Sequence, residues 1–239
     1  MRFFGDLHGK VFEYFGQAAE VEESIQVGDF GFGFMSPKLT TAAMRFHETG
    51  NHVFIRGNHE SPAVYQKSPG WIEDGSYTPE LEMMLIGGAR SVDHDDRVEG
   101  FDWWADEELS QEELDDIFLT YCMVKPRIMV THDTPESAAR AMFDSNFPPN
   151  YRFEEFSRTR VALQRMLDFH QPDLWVFGHW HTTQKKQIGN TEFVCVGKNE
   201  YIDIDLEPYL KETQHARTQP EIHLPFGPES ESGGAVSLR

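Results

Sequence analysis

The chain has 239 residues, 39% of them hydrophobic and 13% aromatic, which is enough for one large domain with a sizeable core or for two small ones. Forty acidic residues against 21 basic ones give a net charge of −19, and this balance disfavours stable binding to a long nucleic acid. No apolar stretch approaches the roughly 20 residues that a membrane helix needs, so we expect no membrane segment and no membrane partner.

Strands and helices alternate along the first third of the chain, which favours a layered α/β domain. Residues 2–4, 24–27 and 52–55 are short apolar runs typical of strands. Residues 10–21 carry apolar side chains at helical spacing. A second helix should follow Ser36, an N-cap residue with Pro37 at the first helical position, and should run to about residue 49.

The middle of the chain contains two further predicted strands, at residues 71–75 and 81–86. Residues 89–108 include Asp93, His94, Trp103 and Trp104 with no clear period. We predict that they form a long loop over the site, because loops of this length are often functional. Ser110-Gln111-Glu112-Glu113 is a capping box, so a helix should begin there and run to about residue 123.

The last third alternates in the same way. Residues 127–130 and 174–177 are apolar runs typical of buried strands, and residues 156–167 show one apolar helix face. We predict that residues 144–152 form an irregular loop. Residues 184–188 and 191–196 flank Gly189-Asn190, a hairpin signal, and residues 201–206 alternate as a half-exposed final strand.

The domain organisation follows from these elements and from the composition of the C-terminus. We predict one domain over residues 1–210, since no internal repeat and no second core are visible. From Lys211 onward the chain is polar and sparse in apolar residues. We therefore predict a polar C-terminal tail over residues 211–239, extended or disordered.

Five of the predicted strands are followed at once by Asp, Asn or His. His179 and His181 lie two residues apart just after one strand, so both can point to the same side of an extended chain. In an open α/β sheet, ligands bind at the edge where the strands end. The candidate ligands at these strand ends are Asp6, His8, Asp29, Asn58, His132, His179 and His181.

These seven residues offer oxygen and nitrogen donors and no thiolate. The set suits Mn, Fe, Zn or similar ions better than an iron–sulfur cluster or Cu(I). Seven ligands are too many for one tetrahedral site, and they suit two ions that share a bridging carboxylate. Such a pair, about 3.5–4 Å apart, turns a shared water into hydroxide at neutral pH and binds the non-bridging oxygens of a phosphoryl group.

Two further residues near Asn58 have side chains suited to phosphoester chemistry. His59 could donate a proton to the leaving oxygen. Arg56, two residues before Asn58, could hold a phosphate oxygen with its planar guanidinium. Each of these residues alone has an ordinary structural explanation, and the prediction depends on the agreement of five separate strand ends.

The order and spacing of these blocks resemble the signature of the calcineurin-like metallophosphoesterases. The blocks are Gly5-Asp6-Leu7-His8-Gly9, Gly28-Asp29, Gly57-Asn58-His59-Glu60, the His132 stretch and Gly178-His179-Trp180-His181, and they span residues 6 to 181. The resemblance implies a four-layer αββα sandwich, with mixed sheets inside, helices on the outer faces and a dimetal site at the strand ends.

The resemblance also implies a role for each matching residue. Asp6, His8 and His181 would hold the first ion, and Asn58, His132 and His179 the second. Asp29 would bridge the two ions, His59 would be the general acid, and Arg56 would contact the phosphate. The implied cofactors are two divalent ions; Mn is the one we favour, and Fe, Zn or Ni accept the same donors.

One block departs from the Ser/Thr protein phosphatases of this superfamily. Phe32 and Gly33 stand where those enzymes have an aspartate that orients the catalytic histidine and an arginine that grips phosphate. The loss of one cation disfavours a phosphoprotein monoester, which carries nearly two negative charges. We therefore predict hydrolysis of a small phosphodiester, such as a cyclic or other nucleotide.

The alternatives are a phosphomonoesterase or Ser/Thr protein phosphatase, a nuclease that the net charge disfavours, and an interaction scaffold on the same fold. Five aromatic residues could stack on a base, or could pack in the core and loops, and the sequence leaves both possibilities open. These residues are Phe30, Phe32, Phe34, Trp103 and Trp104.

The cellular compartment is predicted from the thiols and from the N-terminus. Cys122 and Cys195 each lie inside a regular element, which indicates buried free thiols in a reducing compartment. We expect no signal peptide, because a strand begins at residue 2. The sequence thus predicts a cytoplasmic protein, and it does not specify the oligomeric state.

Overall fold

The computed structural model describes residues 1–48, 50–91, 93–143 and 156–210, except for the side chain of His94. The loop predicted at 144–152 and the tail predicted at 211–239 lie outside the described residues. The described ranges form two β-sheets that pack face to face, with helices on both outer sides.

The first sheet has four strands, of which the three that begin the chain run parallel. Its strands are β1 (Arg2–Phe4), β2 (Glu23–Gln26), β3 (Asn51–Phe54) and β10 (Tyr201–Asp203). Their order is β10-β1-β2-β3, and β10 is antiparallel to β1. The strand near residue 200 therefore closes the same domain that the N-terminus begins.

The second sheet has six strands, with a parallel centre and an antiparallel strand at each edge. Its strands are β4 (Ser76–Thr78), β5 (Met83–Ile86), β6 (Ile128–Thr131), β7 (Leu174–Phe177), β8 (Gln184–Ile188) and β9 (Thr191–Cys195). Their order is β4-β5-β6-β7-β9-β8. The predicted hairpin around Gly189-Asn190 is confirmed by the antiparallel pairing of β8 and β9.

Seven helices of the described residues connect the strands or follow them. They are α1 (Val11–Ala18), α2 (Pro37–His47), α3 (Pro62–Tyr65), α4 (Gln111–Val124), α5 (Glu136–Phe143), α6 (Arg158–Phe169) and α7 (Glu207–Leu210). A short 3-10 turn, His94–Asp96, lies within the predicted long loop. The N-cap predicted at Ser36 is confirmed, since its side chain accepts a hydrogen bond from the Leu39 N–H at 3.4 Å.

The layers are held by three apolar clusters. One lies between the two sheets and includes Ile25 of β2 and Val176 of β7. A second packs α1 and α2 on the outer face of the first sheet. The third packs α4, α5 and α6 on the outer face of the second sheet, where Trp175 points away from its neighbour Val176, as the alternation of a strand requires. The predicted four-layer αββα sandwich is confirmed.

The strand predicted at residues 71–75 is wrong. Only Trp71 makes an isolated bridge, to Phe54 of β3, and β4 begins later, at Ser76. The reason is a turn in front of β4, where Gly75 has φ of +81° and the Ser76 hydroxyl donates to the Glu73 carbonyl at 2.6 Å. The side chain of Ile117 fills the space that a Cβ on Gly75 would need. The chain therefore turns within residues 71–75, the segment that was predicted to be a strand.

No helix among the described residues is long and apolar enough to cross a bilayer. Both cysteines are free thiols inside regular elements, as predicted. Cys195 in β9 is fully buried, whereas Cys122 in α4 is only half-buried.

The capping box at the start of α4 is confirmed in both directions and makes a small stability prediction. Glu113 accepts hydrogen bonds from the Ser110 N–H at 2.8 Å and from the Ser110 hydroxyl at 2.7 Å, and the Glu113 N–H donates back to that hydroxyl at 3.3 Å. We expect Ser110→Ala to lower the free energy of unfolding by about 1 kcal/mol. Chemical denaturation of Ser110→Ala, Glu113→Gln and the double variant checks this, since additive losses would show that the two residues do not act together.

A buried histidine pair predicts acid sensitivity of the fold. His47 donates through Nδ1 to the His52 carbonyl at 2.7 Å, and burial lowers the pKa of His47 to about 4. In the unfolded chain the pKa of His47 is 6.5, so between pH 6.5 and 4 the unfolded chain binds a proton at His47 that the folded chain does not bind. Folding stability should fall as pH drops from 6.5 toward 4, by up to about 3 kcal/mol from this residue.

Chemical denaturation of the wild type and of His47→Gln at several pH values measures this contribution. The variant should lose less stability than the wild type over the same range. Parallel curves for the two proteins would show that His47 does not carry the effect.

Candidate metal centre

The carboxyl ends of β1, β2, β3, β6 and β7 meet at one edge of the sandwich. Each predicted ligand follows one of these strands within a few residues. The structure brings all seven of them together, in two groups that share Asp29.

The first group contains Asp6, His8, Asp29 and His181, with one ligand atom from each lying within 4.8 Å of the others. His181 Nε2 is 3.0 Å from Asp6 Oδ2 and 3.0 Å from His8 Nε2. His8 Nε2 is 3.6 Å from Asp29 Oδ2. This is a set of two imidazoles and two carboxylates around one point, of the kind that holds a divalent ion.

The second group surrounds the amide oxygen of Asn58. His132 Nε2 lies 3.0 Å from this oxygen and His179 Nδ1 lies 3.1 Å from it. The other oxygen of Asp29, Oδ1, is 3.6 Å from His132 Nε2. Asp29 thus presents one carboxylate oxygen to each group, which is the placement that a bridging ligand needs.

The ionisation of Asp29 suits that position. Burial by itself would raise the pKa of this carboxyl, but the neighbouring His59, His132 and His8 outweigh burial and hold the pKa well below its usual range. The His59 N–H also donates to Asp29 Oδ1 at 3.0 Å. The carboxylate is therefore ionised at every physiological pH.

The hydrogen bonds around His132 indicate that these residues fit a cation. His132 Nδ1 donates to the Val27 carbonyl at 2.7 Å, so in the neutral ring Nε2 carries only a lone pair. That lone pair faces the Asn58 oxygen, because the Asn58 amide nitrogen donates to Ser91 at 2.8 Å. Two acceptors at this distance repel each other unless a positive charge lies between them.

Two further observations point the same way. Burial works to lower the pKa of His132, yet Asp29 and Asp6 outweigh it and raise the pKa, so this place attracts positive charge. Asp6 Oδ2 is buried and accepts no hydrogen bond among the described residues, although His181 Nε2 is 3.0 Å away. The donor set and its electrostatics fit divalent metal ions.

The backbone is strained where the ligands sit. His8, Asp29, His179 and His181 have positive φ values of 43°, 57°, 66° and 53°. They are four of the seven non-glycine residues with positive φ in the described ranges. Such conformations cost on the order of 1–3 kcal/mol each and cluster at functional sites, where they aim side chains that a regular strand could not.

Two glycines of the sequence blocks allow the loops to approach each other. A Cβ on Gly178 would lie 2.5 Å from Asp6 Oδ1, and a Cβ on Gly57 would collide with Asp29 Oδ1. Any larger residue at either position would therefore displace a metal-ligating carboxylate.

Glu60 holds the loop after β2 and the loop after β3 together, a role that the sequence analysis did not assign. Its carboxylate accepts hydrogen bonds from the N–H groups of Asp29 at 3.2 Å, Gly31 at 2.9 Å and Gly57 at 2.5 Å. Burial and the nearby Asp29 raise the pKa of Glu60 to about 8, against the opposing effect of the Gly31 and Gly57 donors. Its place in the Gly57-Asn58-His59-Glu60 block was the only sequence signal.

We expect Glu60→Gln to destabilise the protein by about 1–3 kcal/mol, because the new NH₂ group would face a backbone donor and leave it unpaired. Thermal unfolding measures the loss, and the exposed Glu22→Gln serves as the control for removing one acidic side chain. Equal melting temperatures for Glu60→Gln and the wild type would contradict this role.

His59 lies beside the ligand groups. Its Nε2 is 3.9 Å from Asp29 Oδ2, and its Nδ1 has no hydrogen-bond partner among the described residues. Burial is the largest influence on the pKa of His59 and lowers it, while Asp29 opposes the shift. The ring lines the same cavity as the ligands, so it can reach a bound molecule.

Arg56 is not placed with the ligand groups, contrary to the predicted phosphate contact. The buried guanidinium donates to Asp74 at 2.6 Å and to the carbonyls of Asp106 and Glu107 at 3.0 and 2.9 Å. It lines a separate cavity that contains none of the seven ligands. The charge of Asp74 explains the difference, because it draws Arg56 to the other side of the strand end.

A cavity of about 370 Å³ opens over the ligand groups. Besides predicted site residues, its walls include Asp93, Arg97, Trp180 and Lys198. Asp93 and Arg97 come from the region 89–108 that was predicted to lie over the site. The sequence analysis did not use the i,i+4 spacing of Asp93 and Arg97, which is a signal for an ion pair.

Four of the five aromatic residues divide into a buried pair, Phe30 and Phe32, and a pair near His59, Phe34 and Trp104. Phe30 and Phe32 are fully buried and stack on each other at 4.8 Å in the core beneath α1 and α2, so they pack rather than bind. Phe34 is 41% exposed and lies 6.1 Å from the His59 ring and 5.8 Å from the Trp104 ring. Phe34 is therefore next to the cavity residue His59, and Trp104 packs against Phe34; Trp180, which the prediction did not include, lines the cavity itself.

Comparison with known proteins gives one strong match. The family described as calcineurin-like phosphoesterase matches residues 2–183, which include all seven ligands. A search of the curated proteins finds no match.

Solved structures show only distant likenesses. A Staphylococcus aureus protein described as a candidate 5′-nucleotidase, in complex with alpha-ketoglutarate, has a TM-score of 0.44 at 12% identity; the match covers 83% of this chain and 45% of the nucleotidase. The chain thus spans less than half the length of that protein. Phosphopantetheinyl hydrolase from Mycobacterium tuberculosis has a TM-score of 0.44 at 14% identity, covering 95% of this chain and 97% of that one.

Proposed function

Because the chain belongs to the calcineurin-like phosphoesterase family and is a metal-dependent phosphoester hydrolase, we propose that it hydrolyses a small phosphodiester of the nucleotide type. The observation that carries the catalytic part is Asp29, whose two oxygens face the two histidine groups at 3.6 Å each.

We assign the ligands to two ions. Asp6, His8 and His181 would hold one ion, the residues around the Asn58 oxygen would hold the other, and Asp29 would be shared. Divalent ions bound here would supply an activated water and neutralise charge on a phosphoryl group. The imidazole and carboxylate donors suit Mn, which we favour, and also Fe, Zn or Ni.

His59 is our candidate for the proton donor to the leaving oxygen. Its ring lines the cavity, with Nε2 3.9 Å from Asp29 Oδ2. A donor in this position lowers the barrier most when the leaving group is a poor one.

The charge of the cavity wall supports a diester over a monoester. Arg56 is held elsewhere by Asp74, and Arg97 is paired with Asp93 through two hydrogen bonds of 2.7 Å. Among the described residues of the wall, this leaves Lys198 as the cation without a carboxylate partner. A diester carries one negative charge and needs less cationic help than a monoester with nearly two.

The size and aromatic border of the cavity support a small nucleotide-type substrate. A volume of about 370 Å³ lies at the lower end of the range typical of small-molecule sites. The Phe34 ring stands next to His59 and the Trp104 ring packs against Phe34, so a base attached to the reacting phosphate could stack on this side. The free thiols are our ground for proposing a cytoplasmic setting.

Hydrolysis of two chromogenic esters by the Mn²⁺-loaded protein tests the proposal. We expect a higher kcat/KM for bis(p-nitrophenyl) phosphate than for p-nitrophenyl phosphate. A panel of 2′,3′-cyclic and 3′,5′-cyclic nucleotides, dinucleoside polyphosphates, phosphopeptides and single-stranded DNA then ranks natural substrate classes. Preference for the monoester or for phosphopeptides would favour the phosphatase alternative, and a metallated protein inactive on every ester would favour the scaffold.

A further inference from the structure

An ion pair stands on the wall of the metal cavity, in the segment that covers the site. Arg97 donates through Nε to Asp93 Oδ1 and through Nη2 to Asp93 Oδ2, both at 2.7 Å. The third guanidinium nitrogen donates to the Asp102 carbonyl at 3.1 Å. Asp102 also accepts from the Val98 N–H at 2.6 Å, which fixes the backbone next to Arg97. The guanidinium is therefore held in one position.

The Arg97 guanidinium lies on the wall of the cavity over the ligand groups. Asp93 and Arg97 line the same cavity as Asp29, Asn58 and His59. Arg97 is thus an arginine on the wall of the cavity that contains the ligand groups.

We propose that the Asp93–Arg97 pair determines which phosphoester charge the site accepts: Arg97 contacts a non-bridging oxygen of the substrate, and Asp93 cancels most of its charge so that monoanionic diesters are favoured over dianionic monoesters. This inference rests on the proposed phosphodiesterase function and adds the residues that set its specificity.

The physical reason is that Arg97, although paired with Asp93, still has N–H groups that can donate hydrogen bonds. The electric field of the pair as a whole is small, because the two charges cancel. The Arg97 side chain is 21% exposed and that of Asp93 48%, so both can meet a ligand and water. A diester oxygen can accept a hydrogen bond from Arg97 without displacing Asp93. A second negative charge on the substrate would instead meet the carboxylate of Asp93, and like charges repel.

Asp93→Asn is the decisive variant, because it keeps the shape of the side chain and releases the charge of Arg97. We expect the ratio of kcat/KM for p-nitrophenyl phosphate to kcat/KM for bis(p-nitrophenyl) phosphate to rise about tenfold. Inorganic phosphate, measured by calorimetry, should bind the variant about tenfold more tightly than the wild type. Arg97→Gln should raise KM for the diester and should not gain monoester activity.

Asp96→Asn is the matched control, since it removes the same charge from the same segment at an exposed residue that does not line the cavity. It should leave both the ester ratio and the affinity for phosphate within twofold of the wild type. If Asp93→Asn keeps the wild-type ratio and phosphate affinity while the wild type is active, the inference is overturned and the phosphodiesterase function stands. If the wild type hydrolyses neither ester, the proposed function fails instead, and the phosphate titration still decides whether Asp93 opposes a dianion.

Discussion

Asp29→Asn is expected to reduce metal-dependent hydrolysis of bis(p-nitrophenyl) phosphate by about a thousandfold or more. The reason is that Asp29 presents one oxygen to each ligand group, 3.6 Å from His8 Nε2 and 3.6 Å from His132 Nε2. An amide has one acceptor oxygen and no charge, so it cannot bridge two cations. The variant should also retain fewer than two ions per chain after dialysis.

The control for this variant is Asp203→Asn, which removes an aspartate bonded to Arg2 on the edge strand β10. It should keep the metal content and the activity of the wild type, apart from a small loss of stability. An Asp29→Asn protein that binds two ions and hydrolyses the diester at the wild-type rate would contradict the bridging role.

His59→Gln is expected to slow hydrolysis of a 2′,3′-cyclic nucleotide by about 10²–10⁴-fold, the range typical of a lost general acid. The same variant should lose much less activity on bis(p-nitrophenyl) phosphate, because p-nitrophenolate leaves without a proton. The prediction depends on the position of the ring, which lines the cavity with its Nε2 3.9 Å from Asp29 Oδ2.

Comparison of the two substrates separates proton donation from structural damage. A variant that disturbs the metal ligands would slow both reactions to the same extent. His170→Gln is the remote control, since His170 donates to the Pro126 carbonyl on the far side of the second sheet. Equal losses on both substrates for His59→Gln would show that this residue does not act as the acid.

The position of the metal centre could be predicted from the sequence because the signal for each ligand lies within a few neighbouring residues. A short apolar run followed at once by Asp, Asn or His marks a strand end, and parallel strands deliver their ends to one edge. His179 and His181 illustrate this: they closely follow β7, and the structure places them in two different ligand groups that share Asp29. Their backbone is left-handed, with φ of 66° and 53°, and is not the extended one that the spacing argument assumed. The alternation of strands and helices predicted a layered α/β domain for the same reason, whereas the four-layer sandwich was predicted from the resemblance to the metallophosphoesterases.

The sequence could not predict features that depend on partners far along the chain. Arg56 precedes Asn58 closely enough to suggest a phosphate contact, but Asp74, 18 residues later, draws it into another cavity. Trp71 begins the segment predicted as a strand, but the chain turns in front of β4, where Gly75 has a positive φ. Asp93 and Arg97 lie in a region without periodicity, so their place on the cavity wall became visible only in three dimensions.

The central claim, that Asp29 is shared by two ions, is tested most directly by a crystal structure of the protein grown with Mn²⁺ and recorded at a wavelength where manganese scatters anomalously. We predict two anomalous peaks about 3.5–4 Å apart, one on each side of the Asp29 carboxylate. A single peak, or peaks that do not contact Asp29, would contradict the account.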